Sequence, residues 1–220
     1  MLKYLITKLI ILCGITLSAQ LNVRDEPRHH NVFENGYIRI LDAQIGPNDT
    51  SLYHLHNTPS VFIILANSKV SSQLLGGQPQ AGANVSGNVS YDAMLTPRTH
   101  RVWNEDTNWF HVMDIELTAK AQKGKTTVLQ NPGFKLLFNE KEVNGYSIEL
   151  NAGSILQIPA SANGYLLVSM AIATAEFKIN TVTQKRFLKP CHYSWIDGGK
   201  EMTVSIKGSS PGKFVLLQLK

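Results

Sequence analysis

Residues 44–65 read QIGPNDTSLYHLHNTPSVFIIL, and 105 positions later (149 minus 44) residues 149–170 read ELNAGSILQIPASANGYLLVSM. Apolar positions fall together at Ile45 and Leu150, and again where Val61–Ile63 meets Leu166–Val168. Further along, a shift of 102 sets His100–Asn104 (HRVWN) on Met202–Ile206 (MTVSI), sets His111–Leu117 (HVMDIEL) on Lys213–Leu219 (KFVLLQL), and places Tyr91 on Tyr193. The change of shift is one loop deletion of three residues (105 minus 102). Each match is weak alone; their common order reads as an internal duplication.

The stretches around these copies are strand-like. Short runs, among them Tyr37–Gln44, Ser60–Leu65, Phe110–Leu117, Tyr146–Leu150, Leu166–Met170 and Phe214–Leu219, alternate with turn clusters such as Gly46-Pro47-Asn48-Asp49 and Gly208-Ser209-Ser210-Pro211-Gly212. No long run shows helical spacing, which predicts an all-β chain of sandwiches or barrels. The 220 residues, 43% hydrophobic and 17% charged, suffice for a real core and exclude a disordered chain. Two units are expected, residues 20–122 and 123–220, joined at the polar stretch 121–126.

Residues 1–19 read as a secretory leader: Lys3 and Lys8, an apolar run from Leu9 to Leu17, then the small Ser18 and Ala19. The run is too short for a bilayer core that needs roughly 20 residues, so no permanent membrane span is expected, and the mature chain is predicted to be periplasmic or secreted. Leu12 before Cys13 argues against lipidation. Without Lys3 and Lys8 the charge falls to 19 minus 16, or +3, too small and scattered a positive charge for nucleic acid. Cys191 is the one cysteine of the mature chain, which excludes an internal disulfide and a cysteine-built zinc site; its simplest role is a small buried apolar residue.

Three histidines have suggestive spacing. His54 and His56 are two apart in an extended segment and so project from one face, while His100 opens another strand. Such a trio suits a divalent transition metal and leaves positions open for water, substrate or dioxygen.

These residues resemble the cupin superfamily. In place of the first motif's Gly, five residues and His-x-His stand Asn48, DTSLY and His54-Leu55-His56; the second motif's His, three residues and Asn matches His100 to Asn104, with Pro97 before it. Asn tolerates the left-handed backbone of such a turn, and the second copy has Gly153 there. The resemblance implies a bicupin, two tandem jelly-roll barrels, as a monomer or a homodimer. It also implies a loop-securing role for Asn104. The usual glutamate ligand is missing: Ser60 or Val61 stands at its place, and no acid occurs between Asp49 and Asp92. Similar cupins, thiol dioxygenases and a diketone-cleaving dioxygenase, hold iron with three histidines. Iron is therefore the foremost metal for His54, His56 and His100, with manganese, nickel or zinc as alternatives. In the second copy Pro159, Ser161 and Met202 fall on the ligand positions, which implies a degenerate, metal-free barrel.

Two functions follow from this resemblance: a three-histidine, dioxygenase-like oxidoreductase acting on a small molecule, or a non-catalytic small-molecule (for example sugar) binder with a decayed site. Ser60, Asn104, His111 and Tyr91 are candidates for supporting or lining the site, as are Tyr53 and Gln73; His111 reads otherwise as solvent-facing or packed. His29 and His30 read as part of a solvated segment. A Cys191–His192 pair would need opposed side chains to converge. No Ser-His-Asp order, phosphate loop or pair of acids stands out.

Overall fold

The computed structural model describes residues 21–119 and 126–220; the expected leader and the heart of the expected junction lie outside them. The first half holds β1 (Leu21–Asn22), β2 (His29–Glu34), β3 (Ile38–Ile45), β4 (His54–His56), β5 (Ser60–Ile64), β6 (Ser68–Leu74), β7 (Gln80–Asn84), β8 (Val89–Asp92), β9 (Arg98–Asn104) and β10 (Phe110–Leu117), with a single 3-10 turn at Val23–Asp25. The second half holds β11 (Lys135–Asn139), β12 (Val143–Leu150), β13 (Ile155–Ile158), β14 (Tyr165–Ser169), β15 (Ala173–Ile179), β16 (Val182–Leu188), β17 (Tyr193–Ile196), β18 (Met202–Ile206) and β19 (Gly212–Leu219). No helix among the described residues is long and apolar enough to cross a membrane.

Each half is a two-sheet jelly roll. The first pairs an outer sheet ordered β1-β4-β9-β6-β7 with an inner sheet ordered β2-β3-β10-β5-β8; the second pairs β13-β18-β15-β16 with β11-β12-β19-β14-β17. Three strands of each inner sheet repeat in exact register: β3 maps to β12 and β5 to β14 at a shift of 105, and β10 maps to β19 at 102.

The inner sheets pack face to face. Ile38 and Ile40 of β3, Val61 and Ile63 of β5, and Met113, Ile115 and Leu117 of β10 meet Leu166 and Val168 of β14 and Val215, Leu217 and Leu219 of β19 in one continuous core. A strand covered on both faces carries apolar residues at odd and even positions alike, as Val112, Met113 and Ile115 do in β10 and Phe214–Leu217 in β19. Burying each such side chain contributes about 2 kcal/mol, so the seam holds the two barrels as one body. Odd and even positions of β3 and β10 then have different fates. Ile38, Ile40, Met113 and Ile115 face the second barrel, whereas Ala43, Ile45, Val112 and Asp114 face the interior of the first.

Candidate metal centre

β4 runs antiparallel to β9 with His54 opposite His100. Upstream, Thr50 bridges Trp103, so one side advances four residues (50 to 54) while its partner advances three (103 to 100). That extra residue is a bulge, which aims His54 and His56 inward together, both buried, with Leu55 between them turned outward. The turn feeding β4 is held open by Asn48 at φ 59, matched by Gly153 at φ 77 in the second barrel. Asn104, 1% exposed, ties this end of the barrel together. Its Nδ2 donates to the carbonyls of Ile45 (3.0 Å) and Asn108 (2.7 Å), and its Oδ1 accepts from the Asp106 N–H (2.9 Å).

The three imidazoles converge. Ring centroids lie 5.0 Å apart for His54–His56, 4.7 Å for His54–His100 and 5.0 Å for His56–His100, and one nitrogen from each lies within 4.8 Å of the others. His54 Nδ1 donates to the Leu52 carbonyl at 2.8 Å, which leaves Nε2 as the lone-pair nitrogen; that atom is buried without a protein partner. Burial first, then repulsion from neighbouring positive charge, pushes His54 down to about 4, His56 to about 2 and His100 to about 3. All three are therefore neutral ligands at physiological pH, and this donor set fits a divalent transition metal.

The surroundings include groups that sequence reasoning missed. His29, expected in a solvated segment, lines the cavity with its ring 4.7 Å from that of His54. Its Nδ1 lies 2.9 Å from Glu26 Oε2. Glu26 is buried, which alone would raise its pKa, yet hydrogen bonds from His29 and from the backbone N–H groups of Leu52 and Arg28 hold it down to about 2. Asp114, on the inward face of β10, stands 3.6 Å from His56 Nδ1 and is pushed up to about 8, chiefly by burial and then by Glu116. An acid inside the run HVMDIEL, at an inward-facing register, was the available signal. His29 had none, because its approach depends on the pairing of β2 with β3. Arg98 reaches the same cavity while paired with Asp92 at 2.7 Å. The cavity measures about 250 Å³ and has apolar walls from Ala43, Ile45, Phe62, Ile64, Val102 and Val112.

Other expectations are corrected by register. His111 lies on the opposite face of β10 from Val112 and Asp114 and points to the seam between barrels, its Nε2 2.6 Å from Asp42 Oδ1. Tyr91 pairs with Val61 and shares its seam-facing side, hydrogen-bonding Glu142 across the barrels; its neighbour Ser90 lines the cavity instead. The second-barrel partner of Tyr91 is Trp195, since Val61 pairs with Tyr91 and Leu166 with Trp195. Ser60 is buried on the inward face of β5 that it shares with Phe62 and Ile64; its Oγ donates to the Thr58 carbonyl (3.2 Å) and stands against Asp114, whose pKa it lowers, so it supports the site from behind the cavity wall. Tyr53 and Gln73 bond to each other at 2.9 Å, and Gln73 Oε1 also accepts from Arg101, so neither joins the cavity wall. In the second barrel, Ile158 faces Met202 as His54 faces His100, so the one-residue bulge moves the equivalent of His54 from the exposed Pro159 to Ile158.

No protein-family model matches the sequence, and no curated protein does. Solved structures match over most of the chain. A cupin 2 conserved barrel domain protein from Leptotrichia buccalis is 9% identical with TM-score 0.56, over 87% of this chain and 88% of that one. A point mutant of salicylate 1,2-dioxygenase from Pseudoaminobacter salicylatoxidans is 10% identical with TM-score 0.62, over 89% and 75%. An oxalate decarboxylase variant from Bacillus subtilis is 8% identical with TM-score 0.58, over 87% and 75%. At such identities the likeness is one of fold. Two jelly-roll barrels in tandem, seen beside these neighbours, give the chain the cupin fold twice over, with a three-histidine cluster inside the first barrel.

Proposed function

We propose that the chain is an exported metal-dependent oxidoreductase of the dioxygenase type, whose first barrel binds one divalent metal, iron(II) foremost, through His54, His56 and His100. The observation that carries this reading is the buried, partnerless Nε2 of His54 aimed among two further neutral imidazoles. Iron held this way supplies dioxygen activation and a coordination sphere for a chelating substrate.

The chain's own residues do the rest. Three neutral ligands leave the ion's charge uncompensated, so a small anionic substrate is favoured, with Arg98, paired to Asp92, offering hydrogen-bond donors at the cavity. The apolar walls shape its body and exclude water. His29, with Nδ1 engaged by Glu26, is fixed with its ring against the cavity beside His54, where it can hydrogen-bond a bound substrate. Asp114 Oδ2 beside His56 Nδ1 orients that ring when the metal is bound. The salicylate dioxygenase and oxalate decarboxylase neighbours act on small carboxylates according to their names, which agrees with this reading.

Elemental analysis of the purified protein, repeated on a His54→Ala/His56→Ala variant, tests the site. Loss of one equivalent of metal per chain, followed by oxygen uptake with small chelating carboxylates in the wild type alone, is expected. Metal content unchanged by the double substitution would overturn the ligand assignment. Metal binding without turnover would leave the small-molecule binder as the function.

A further inference from the structure

We propose that Asp42, His111 and Cys191 form a second cation site, which takes a thiophilic divalent ion such as zinc across the seam between the barrels. Asp42 and His111 are diagonal neighbours on β3 and β10, since Asp42 lies opposite Met113 and His111 opposite Gln44. Both project from the face turned toward the second barrel, away from the three-histidine cavity. The second barrel supplies Cys191 from the turn Lys189–His192, closed by the His192 N–H on the Lys189 carbonyl (3.1 Å). Cys191 sits there at φ 76, a left-handed conformation where glycine would be the easy choice.

One oxygen, one nitrogen and one sulfur from these residues lie within 4.8 Å of one another, and all three residues are partly exposed, so an ion and a fourth, solvent-derived ligand have access. A mixed O, N and S set suits zinc, and the two anions balance its charge. Gln44 Nε2 holds the other carboxylate oxygen of Asp42 at 2.7 Å, as an orienting partner does around a metal ligand. Burial, then the adjacent Asp42, pushes the free thiol up to about 12, so Cys191 is no reactive nucleophile by itself. When the ion binds, the thiol proton leaves to solvent and the thiolate ligates. A single cysteine cannot build a cysteine-only zinc site, and in sequence these three residues are 69 (111 minus 42) and 80 (191 minus 111) positions apart, so only the docked barrels assemble the trio.

Cobalt(II) titration of the metal-free full chain is the test, because a thiolate ligand gives a near-ultraviolet charge-transfer band that an all-imidazole site does not. A band of the same final intensity is expected in wild type, saturating by two equivalents because the three-histidine site also takes cobalt, and in His54→Ala/His56→Ala, saturating at one; it is lost in Cys191→Ser, bleached by zinc, and requires roughly tenfold more cobalt or worse in His111→Asn and Asp42→Asn. Circular dichroism on each variant confirms folding, and His111→Asn decides if Cys191→Ser fails to fold. Absence of the band in folded wild type with excess cobalt would overturn the site. So would a band whose titration is indifferent to His111→Asn and Asp42→Asn, since that is a thiol adduct alone.

Discussion

The two barrel interiors descend from one pattern and have opposite contents. In the first, Ala43, Ser60, His54, His100 and Asp114 leave a polar-based cavity of about 250 Å³. At the corresponding places in the second stand Ile148, Tyr165, Ile158, Met202 and Leu216, all within one apolar core that also holds Phe134, Tyr146 and Phe177. Each exchange replaces a small or polar side chain by a larger apolar one. The exchange fills the places beside Ile158 and Met202 with apolar side chains, whereas the same places in the first barrel leave three imidazoles around a cavity.

The comparison can be broken most sharply by exchanging contents. His54→Ala/His56→Ala should remove one equivalent of metal, that of the first barrel's cavity, while Ile158→His/Met202→His should add none, because Ile148, Tyr165 and Leu216 enclose those two positions in an apolar core; elemental analysis of both decides. Leu216→Asp, which puts the Asp114 carboxyl into the filled barrel, should destabilise the protein by about 3–5 kcal/mol at neutral pH in denaturant melts. The reciprocal Asp114→Leu should be neutral or stabilising to the apoprotein, yet weaken metal binding roughly 10–100-fold by freeing His56. A large loss of apoprotein stability there would show that Asp114 belongs to the packing and not to the site.

Tyr165→Ser restores the residue of the first barrel at a fully buried position and should cost about 3 kcal/mol through the cavity it leaves. The smallest effect concerns acid. Glu26 is held at about 2 against an ordinary value of 4.5, so its ionised form stabilises the fold above pH ~4.5, and that contribution is lost as pH falls toward 2. Glu26→Gln should therefore lower stability by about 1–3 kcal/mol at neutral pH and flatten the acid limb of the stability profile. An unchanged acid limb would remove Glu26 and His29 as a coupled pair.

His54 and His56 were legible because a fixed spacing on an extended strand dictates which side chains share a face, and Asn104 was legible only through its place in the resemblance to the cupin motif. The duplication was legible where long apolar strands repeat without insertion, as in β3 with β12 and β10 with β19. It slipped at Tyr91 and at Pro159, where a change of one or two residues moves the pairing and, with a period of two, a one-residue slip reverses the face.

Periodicity, spacing and internal repetition thus determined the all-β class, the two copies, and which copy carries the three histidines. Tertiary structure alone decided what meets those histidines and what lies between the barrels: His29 arrives from the start of β2 and Glu26 from the bend before it, His111 turns to the seam, and Cys191 reaches Asp42 from the other barrel. The physical reason is that local sequence sets which face a side chain takes, whereas its neighbours across that face come from chain segments brought together only by strand pairing and by burial of the two inner sheets against each other.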